Sequence, residues 1–296
     1  MLMPLMFCFA VSVCISRGLG TGHDWMVVRA IAAAFGRPFI TACIAISQRA
    51  LQVLCSYDLC MAGAAKERER ELAKAHMTKP IEPGGLCCYG DSEFAFWHQL
   101  REQLSQALAM HATASLVLPR TAFNAGFGGS TTRQLVKHIR PLCLNYQPSS
   151  MLLHFGGNDF DLHGAAVMDE VLADVRLICS QAHASGCRVY ALFGLHKPAF
   201  TEAKWRYMQE LYYLLRQSAG VSKQDVDAVV ALSDFAILDD TGRAGVGAGA
   251  TAAQSASTWP AAEYHTDGVH LLPVHRQRFA KEVADALATA LKCDAA

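Results

Sequence analysis

The sequence predicts a doubly wound, three-layer α/β/α sandwich. From about residue 85 onward, short apolar runs alternate with segments of helical pattern. The apolar runs lack the strict in–out alternation of a sheet with one wet face, so they read as parallel strands buried on both sides. The stretches that could carry chemistry all fall at predicted strand ends or before the last helix, where a doubly wound sheet gathers its loops.

Taken in order, the chain opens on "MLMPLMFCFAVSVCI", an apolar run with no positive charge before it. A membrane span needs roughly 20 apolar residues and a signal peptide usually a basic start. An uncleaved anchor, a poor signal peptide and a helical extension all stay open, so membrane association through residues 1–16 is one expectation. "PFITACIAISQRALQVLC" (38–55) is interrupted by Gln48, Arg49 and Gln52 and reads as an amphipathic or packed helix. "KERERELAKAH" (66–76) reads as a solvated helix, and "MTKPIEPGG" brings two prolines and two glycines. That shift predicts a boundary near residue 80, with 1–80 an extension and 81–296 the main domain.

The strand-like runs are "GLCCYG" (85–90), "ASLVLP" (114–119) continuing into "AFNAG", "SMLLHFG" (150–156), "CRVYALFG" (187–194) and "DAVVALS" (227–233). Helical patterns lie near 93–110, 130–145, 164–186, 200–219 and 273–292. The Gly-, Ala- and Ser-rich stretch 239–264 reads as a surface loop. Its "GVGAGA" lacks the preceding strand and the downstream acidic residue of a dinucleotide-binding turn.

Composition removes several classes. The 296 residues are 52% hydrophobic, enough for a sizeable core, and 26 basic residues balance 26 acidic ones. Nucleic-acid binding usually leaves a basic footprint, which is missing. The eleven cysteines are odd in number and form no repeated CxxC, so buried free thiols are expected in place of a disulfide framework or metal site. That leans toward a reducing compartment, whereas the N-terminus leans toward a membrane; an intracellular or membrane-associated location is favoured and a secreted one stays open. Neither a cofactor nor a metal is expected. The oligomeric state is not legible.

Four stretches matter: "GDSE" (90–93), "NAGFGGSTT" (124–132), "GGND" (156–159) and "DGVH" (267–270). Acyl transfer needs a nucleophile, a base, a group that orients the base, and donors for an oxyanion. Ser92 sits at a strand-to-helix turn, beside a helix N-terminus that favours developing negative charge. His270 is the candidate base, and Asp267, three residues earlier, can hold its other ring nitrogen and fix the tautomer. Gly129 lies in a glycine-rich turn where a backbone N–H can approach a substrate oxygen. Asn158 has a side-chain amide to donate. With the Ser92 N–H these make a three-donor oxyanion hole.

In order and rough spacing, these stretches resemble the conserved blocks of the SGNH, or GDSL-type, serine hydrolase family. The resemblance covers about 85–291. It implies Ser92 as nucleophile, Gly129 and Asn158 as oxyanion donors, and Asp267 and His270 as the Asp-x-x-His pair. It also implies a flavodoxin-like fold of five parallel strands and metal-independent hydrolysis of esters or thioesters. "NAGFGGSTT" and "HFGGND" most resemble the subgroup with platelet-activating-factor acetylhydrolase-like and lysophospholipase-like esterases. Glu93 departs from the pattern, standing where the family's name expects leucine; such a carboxylate could help the helix dipole or slightly disfavour anionic substrates. The 239–264 stretch lengthens the gap before Asp267 and could form part of a lid or acyl-binding wall.

Singly, each match has an ordinary structural explanation: Ser92 as a helix cap, Gly129 as a turn glycine, Asn158 as a loop residue, Asp267 and His270 as a capped helix start. Their joint occurrence in order is what points to an esterase or lipase-like acyl hydrolase acting on a small-molecule ester or thioester, lipids included. The rivals are an acyltransferase using the same acyl-enzyme and an inactive lipid- or glycan-binding module. Among other residues, Asp91 is expected to support the turn, Asn124 to brace the glycine-rich loop and Asp159 to stabilise its loop. His98, His154, His163 and His196 are structural or surface groups by default, and Trp97, Trp205 and Tyr207 core aromatics.

Overall fold

In the computed structural model, the residues described are 37–111, 118–194, 197–232, 237–238, 244–245, 263, 265, 267 and 269–293, with side chains from residue 57 to 291. The chain divides into two compact units, Met1–Ala62 and Gly63–Ala296. The described part of the first is helical from Arg37. That helix, α1 (Arg37–Thr78), runs on into the second unit. No helix among the described residues is long and apolar enough to cross a membrane. The apolar run 1–15 lies outside the described residues.

The second unit therefore begins before the composition shift near residue 80. Ala65, Leu72 and Ile81 are buried in its core while Lys66, Glu67 and Glu69 face solvent on the same helix. The charged run hid an apolar stripe at helical spacing.

The elements follow as β1 (Leu86–Gly90), α2 (Ser92–Ala95), α3 (Leu100–His111), β2 (Ala122–Asn124), α4 (Thr132–Leu142), β3 (Ser150–His154), α5 (Gly157–His163), α6 (Met168–Ala184), β4 (Arg188–Phe193), α7 (Glu202–Ser218), β5 (Ala228–Ala231), β6 (Ile237–Leu238), β7 (Ala244–Gly245) and α8 (Arg276–Cys293). β6 and β7 form a small antiparallel pair. The other five strands make one parallel sheet in the order β2-β1-β3-β4-β5. That is the flavodoxin-like order, and it reverses direction between β1 and β3.

Two-residue periodicity sends alternate strand side chains to two separate cores. Cys87, Tyr89, Met151, Leu153, Val189 and Ala191 face one layer, with Leu135 and Ile139 of α4, Val175 and Ile178 of α6, and Leu211 of α7. Leu86, Cys88, Leu152, Tyr190, Leu192 and Val230 face the other, with Leu104 and Leu108 of α3 and Phe279, Val283 and Leu287 of α8. Both faces are covered, which is why the strand sequences are apolar throughout. Cys87, Cys88, Cys143, Cys179 and Cys187 are buried free thiols and Cys60 an exposed one.

Two expected elements fall differently. The second strand occupies only Ala122–Asn124, inside the expected continuation, while most of 114–119 lies outside the described residues. The expected helix 93–110 is broken into α2 and α3. Asn124 sits at the break: its side-chain amide donates to the carbonyls of Phe94 (2.6 Å) and Trp97 (3.1 Å). Those carbonyls are the acceptors a continuing helix would need. The same residue's Oδ1 accepts the Gly126 N–H at 3.0 Å, bracing the glycine-rich loop.

Candidate active site

The sheet's reversal point places the ends of β1 and β3 side by side, with Gly90 paired to His154. Gly90 permits this approach, because a Cβ there would lie 2.2 Å from the His154 carbonyl oxygen. From Gly90 the chain turns into α2 through Asp91, whose Oδ1 accepts the Glu93 N–H at 3.0 Å. Asp91 is thus the helix cap, and Ser92, the first helical residue, keeps its hydroxyl out of capping.

Asp91 Oδ1 also meets His154 Nδ1 at 2.9 Å, both residues being 5% exposed. Burial pushes the Asp91 carboxyl up, but His154, Lys197 and the Glu93 N–H together hold it below its usual range. An ionised carboxylate can only accept, so Nδ1 of His154 carries the proton. Its Nε2 points at Gly194, where a Cβ would approach to 3.0 Å.

A second His–Asp pair enters from the segment before α8. Asp267 Oδ1 accepts the N–H groups of Val269 (2.8 Å) and His270 (3.0 Å). That fixes the carboxylate so that Oδ2 reaches His270 Nδ1 at 2.7 Å. Desolvation pushes the Asp267 carboxyl up, but the hydrogen bonds from the His270 ring and from the Val269 and His270 N–H groups together hold it well below the usual carboxylate range. Nδ1 is then protonated and Nε2 carries a lone pair. Nε2 of His270 is buried and makes no hydrogen bond among the described residues. The ring of Phe96, just past α2, stands edge-on to the imidazole at 4.7 Å between centroids.

Asn158 lies in the first turn of α5, behind Gly156 at φ 97°, a left-handed conformation that favours glycine. Its Nδ2 donates to the Ser130 carbonyl at 2.9 Å. An amide has two N–H bonds, so one remains for another acceptor. Gly129, at φ 78°, belongs to the same loop as Ser130, and a Cβ on the neighbouring Gly128 would come 3.9 Å from Ser92 Cβ.

Ser92, Asn158 and His270 line one cavity of about 220 Å³, with His154, Lys197, Phe193, Phe200, Trp205 and Met208 among its other walls. Asp267 stands behind His270, and Gly129 is not among the lining residues. Ser92, His270 and Asn158 thus border one small space, a set of groups that suits proton removal from a hydroxyl and binding of an oxyanion. Trp97 and Tyr207 are core residues. His98 and His163 are exposed, and His196 lies outside the described residues. Apart from Ala244–Gly245 and Glu263, so does the 239–264 stretch.

Glu93 sits in the first turn of α2, but it is 3% exposed and ion-paired twice, Oε1 to Arg276 Nη1 and Oε2 to Lys197 Nζ, each at 2.7 Å. Burial pushes its carboxyl up, yet Lys197 and Arg276 hold it down to about 2. The two partners lie 104 and 183 residues away in sequence, so spacing could not reveal them. The one available signal was the odd glutamate in an otherwise apolar setting.

Asp159 is the outlier of the opposite sign. It is buried against Thr132, whose N–H and hydroxyl donate to Oδ1 at 3.1 and 2.9 Å. Burial raises its carboxyl from 3.8 to about 6, the Thr132 hydrogen bonds opposing and Asp174 adding to the rise. A raised carboxyl binds its proton more tightly when folded, so its contribution to stability falls as pH rises from about 3.8 to about 6 and stays low above. Asp159→Asn keeps the acceptor for Thr132 and removes the charge. It is expected to raise Tm relative to wild type by several degrees at pH 8 and by less at pH 4.5. A Tm difference independent of pH in thermal melts would contradict this.

No family model matches the chain, and no curated protein matches it. Among solved structures, a Streptococcus pneumonia protein provisionally described as a platelet activating factor is similar at 18% identity and a TM-score of 0.51, over 82% of this chain and 99% of that one. At that identity the likeness is one of fold. TesA (17% identity, TM-score 0.48) covers 70% of this chain and 99% of its own. The psychrotrophic esterase EstA from Pseudoalteromonas sp. (13%, 0.48) covers 71% and 99%.

Proposed function

We propose that this chain is a serine hydrolase of the SGNH, or GDSL-type, family, cleaving carboxylic ester or thioester bonds through an acyl-enzyme on Ser92. The observation that carries the proposal is the shared cavity of Ser92, Asn158 and His270, with His270 held by Asp267 at 2.7 Å and its Nε2 unbonded. The order of the motifs and the flavodoxin-like sheet support it.

In the proposed reaction, His270 Nε2 takes the Ser92 proton as Oγ attacks the substrate carbonyl carbon. The tetrahedral oxyanion is received by the N–H groups of Ser92 and Gly129 and by Nδ2 of Asn158, each such donor worth about 3–4 kcal/mol in the transition state. The imidazolium, steadied by the Asp267 carboxylate, returns the proton to the departing alcohol or thiol. Water then attacks the acyl carbon as His270 takes one of its protons. The second tetrahedral intermediate collapses by breaking the C–Oγ bond, the imidazolium returning the proton to Ser92 Oγ as the acid leaves. Held below the usual carboxylate range, Asp267 is ionised at neutral pH, where it can steady the imidazolium.

Turnover of p-nitrophenyl acetate by the purified chain tests the proposal against an inactive binding module. Release of p-nitrophenol with saturation kinetics is expected; a rate equal to the buffer blank, with the fold intact, would overturn it. Trp205, Phe200 and Met208 give the cavity an apolar wall suited to an acyl group.

A further inference from the structure

We propose that Glu93 is a positioning residue: its carboxylate, gripped from two sides by Lys197 and Arg276, fixes the turn that carries Ser92 against the segment that carries His270. This rests on the assignment of Ser92 and His270 as nucleophile and base.

Glu93 directly follows Ser92. Arg276 is the first residue of α8, six positions after His270, and Leu271 between them is buried. The guanidinium donates to Glu93 Oε1 at 2.7 Å and also to the Glu93 backbone carbonyl at 3.3 Å. It therefore holds both the side chain and the main chain of the residue beside the nucleophile. Lys197, on the cavity wall past the end of β4, takes Oε2 at 2.7 Å. Three chain segments meet on one carboxylate, and Glu93, Lys197 and Arg276 are 3%, 5% and 4% exposed.

Buried ion pairs are a weak source of net stability, because desolvation consumes most of the attraction. An apolar side chain could fill the same space. What an apolar side chain cannot do is set direction: leucine packs in several orientations, whereas two short charged hydrogen bonds at different angles allow one. Small displacements between reacting groups cost a large share of rate. The arrangement suits geometry at the site better than it suits stability. The neighbouring Asp91–His154 pair, on the other side of Ser92, leaves the turn bracketed by buried carboxylates at both flanks.

The test compares wild type, E93Q, R276K and the triple variant E93L/K197M/R276M as full-length proteins, by p-nitrophenyl acetate kinetics and thermal melting. E93Q and R276K are expected to lower kcat tenfold or more, with KM changed less than threefold. The triple variant removes all three charges of the cluster together, Asp91 keeping His154 as its partner, and is expected to melt within a few degrees of wild type, yet to keep the low kcat. It carries the test on its own should E93Q not fold. Wild-type kcat in a folded triple variant, or losses of kcat that merely follow the folded fraction, would overturn the proposal. If wild type itself shows no turnover that depends on Ser92, the hydrolase assignment fails and this proposal with it. Turnover in wild type with unaffected kcat in the variants removes this proposal alone.

Discussion

Ser92→Ala is expected to lower kcat for p-nitrophenyl acetate by about 10⁴–10⁶-fold while leaving the fold intact. The size follows from the chemistry: without Oγ no acyl-enzyme forms, and what remains is carbonyl polarisation by the oxyanion donors acting on water. The fold survives because Asp91, not Ser92, caps α2. Its Oδ1 keeps the Glu93 N–H and the His154 ring whatever stands at position 92. Alanine is also the better helix former, so Tm is expected to stay within a few degrees. Steady-state kinetics and a melting curve check both halves. A variant that retains more than a few per cent of wild-type kcat would remove Ser92 from its role.

The second large effect is expected for His270→Ala, again about 10⁴-fold or more in kcat, because the same imidazole takes a proton in both half-reactions. The double variant Ser92→Ala/His270→Ala should be no slower than either single one, since the two groups act as a unit. His154 supplies the internal control. It too lines the cavity and is paired with a carboxylate, but its Nδ1 partner Asp91 is buried in the turn and its Nε2 lies against Gly194. If His270→Ala kept near-wild-type kcat and His154→Ala did not, the base would be His154. Kinetics of the three variants separate these outcomes.

Much of the fold was legible because a parallel sheet covered on both faces writes its strands as apolar runs. Leu86–Gly90, Ser150–His154, Arg188–Phe193 and Ala228–Ala231 all lie within the runs that announced them. The short β2 was blurred because three residues leave little pattern. The break between α2 and α3 was invisible for a different reason. The local sequence "EFAFWHQLREQL" is helical in pattern, and the residue bonded at the break, Asn124, is some 30 residues away. The stripe of Ala65 and Leu72 was hidden in the charged run before residue 80 because charge density outweighed it.

The site divides in the same way. Ser92, Asn158 and the Asp267–His270 pair were singled out from short, local motifs, and the structure brings Ser92, Asn158 and His270 to one cavity with Asp267 on the His270 ring. What supports them was not legible, since it is built from long-range pairs. Asp91 with His154 and Glu93 with Lys197 and Arg276 join segments 63, 104 and 183 residues apart. A short motif points to candidate groups; the buried charges around them come from elements brought together only by the sheet.

The most direct measurement is reaction of the purified protein with a fluorophosphonate probe, followed by peptide mass mapping. The account predicts a single adduct on the peptide containing Ser92, formed in wild type and lost in Ser92→Ala. An adduct on another residue, or equal labelling of the alanine variant, would contradict it.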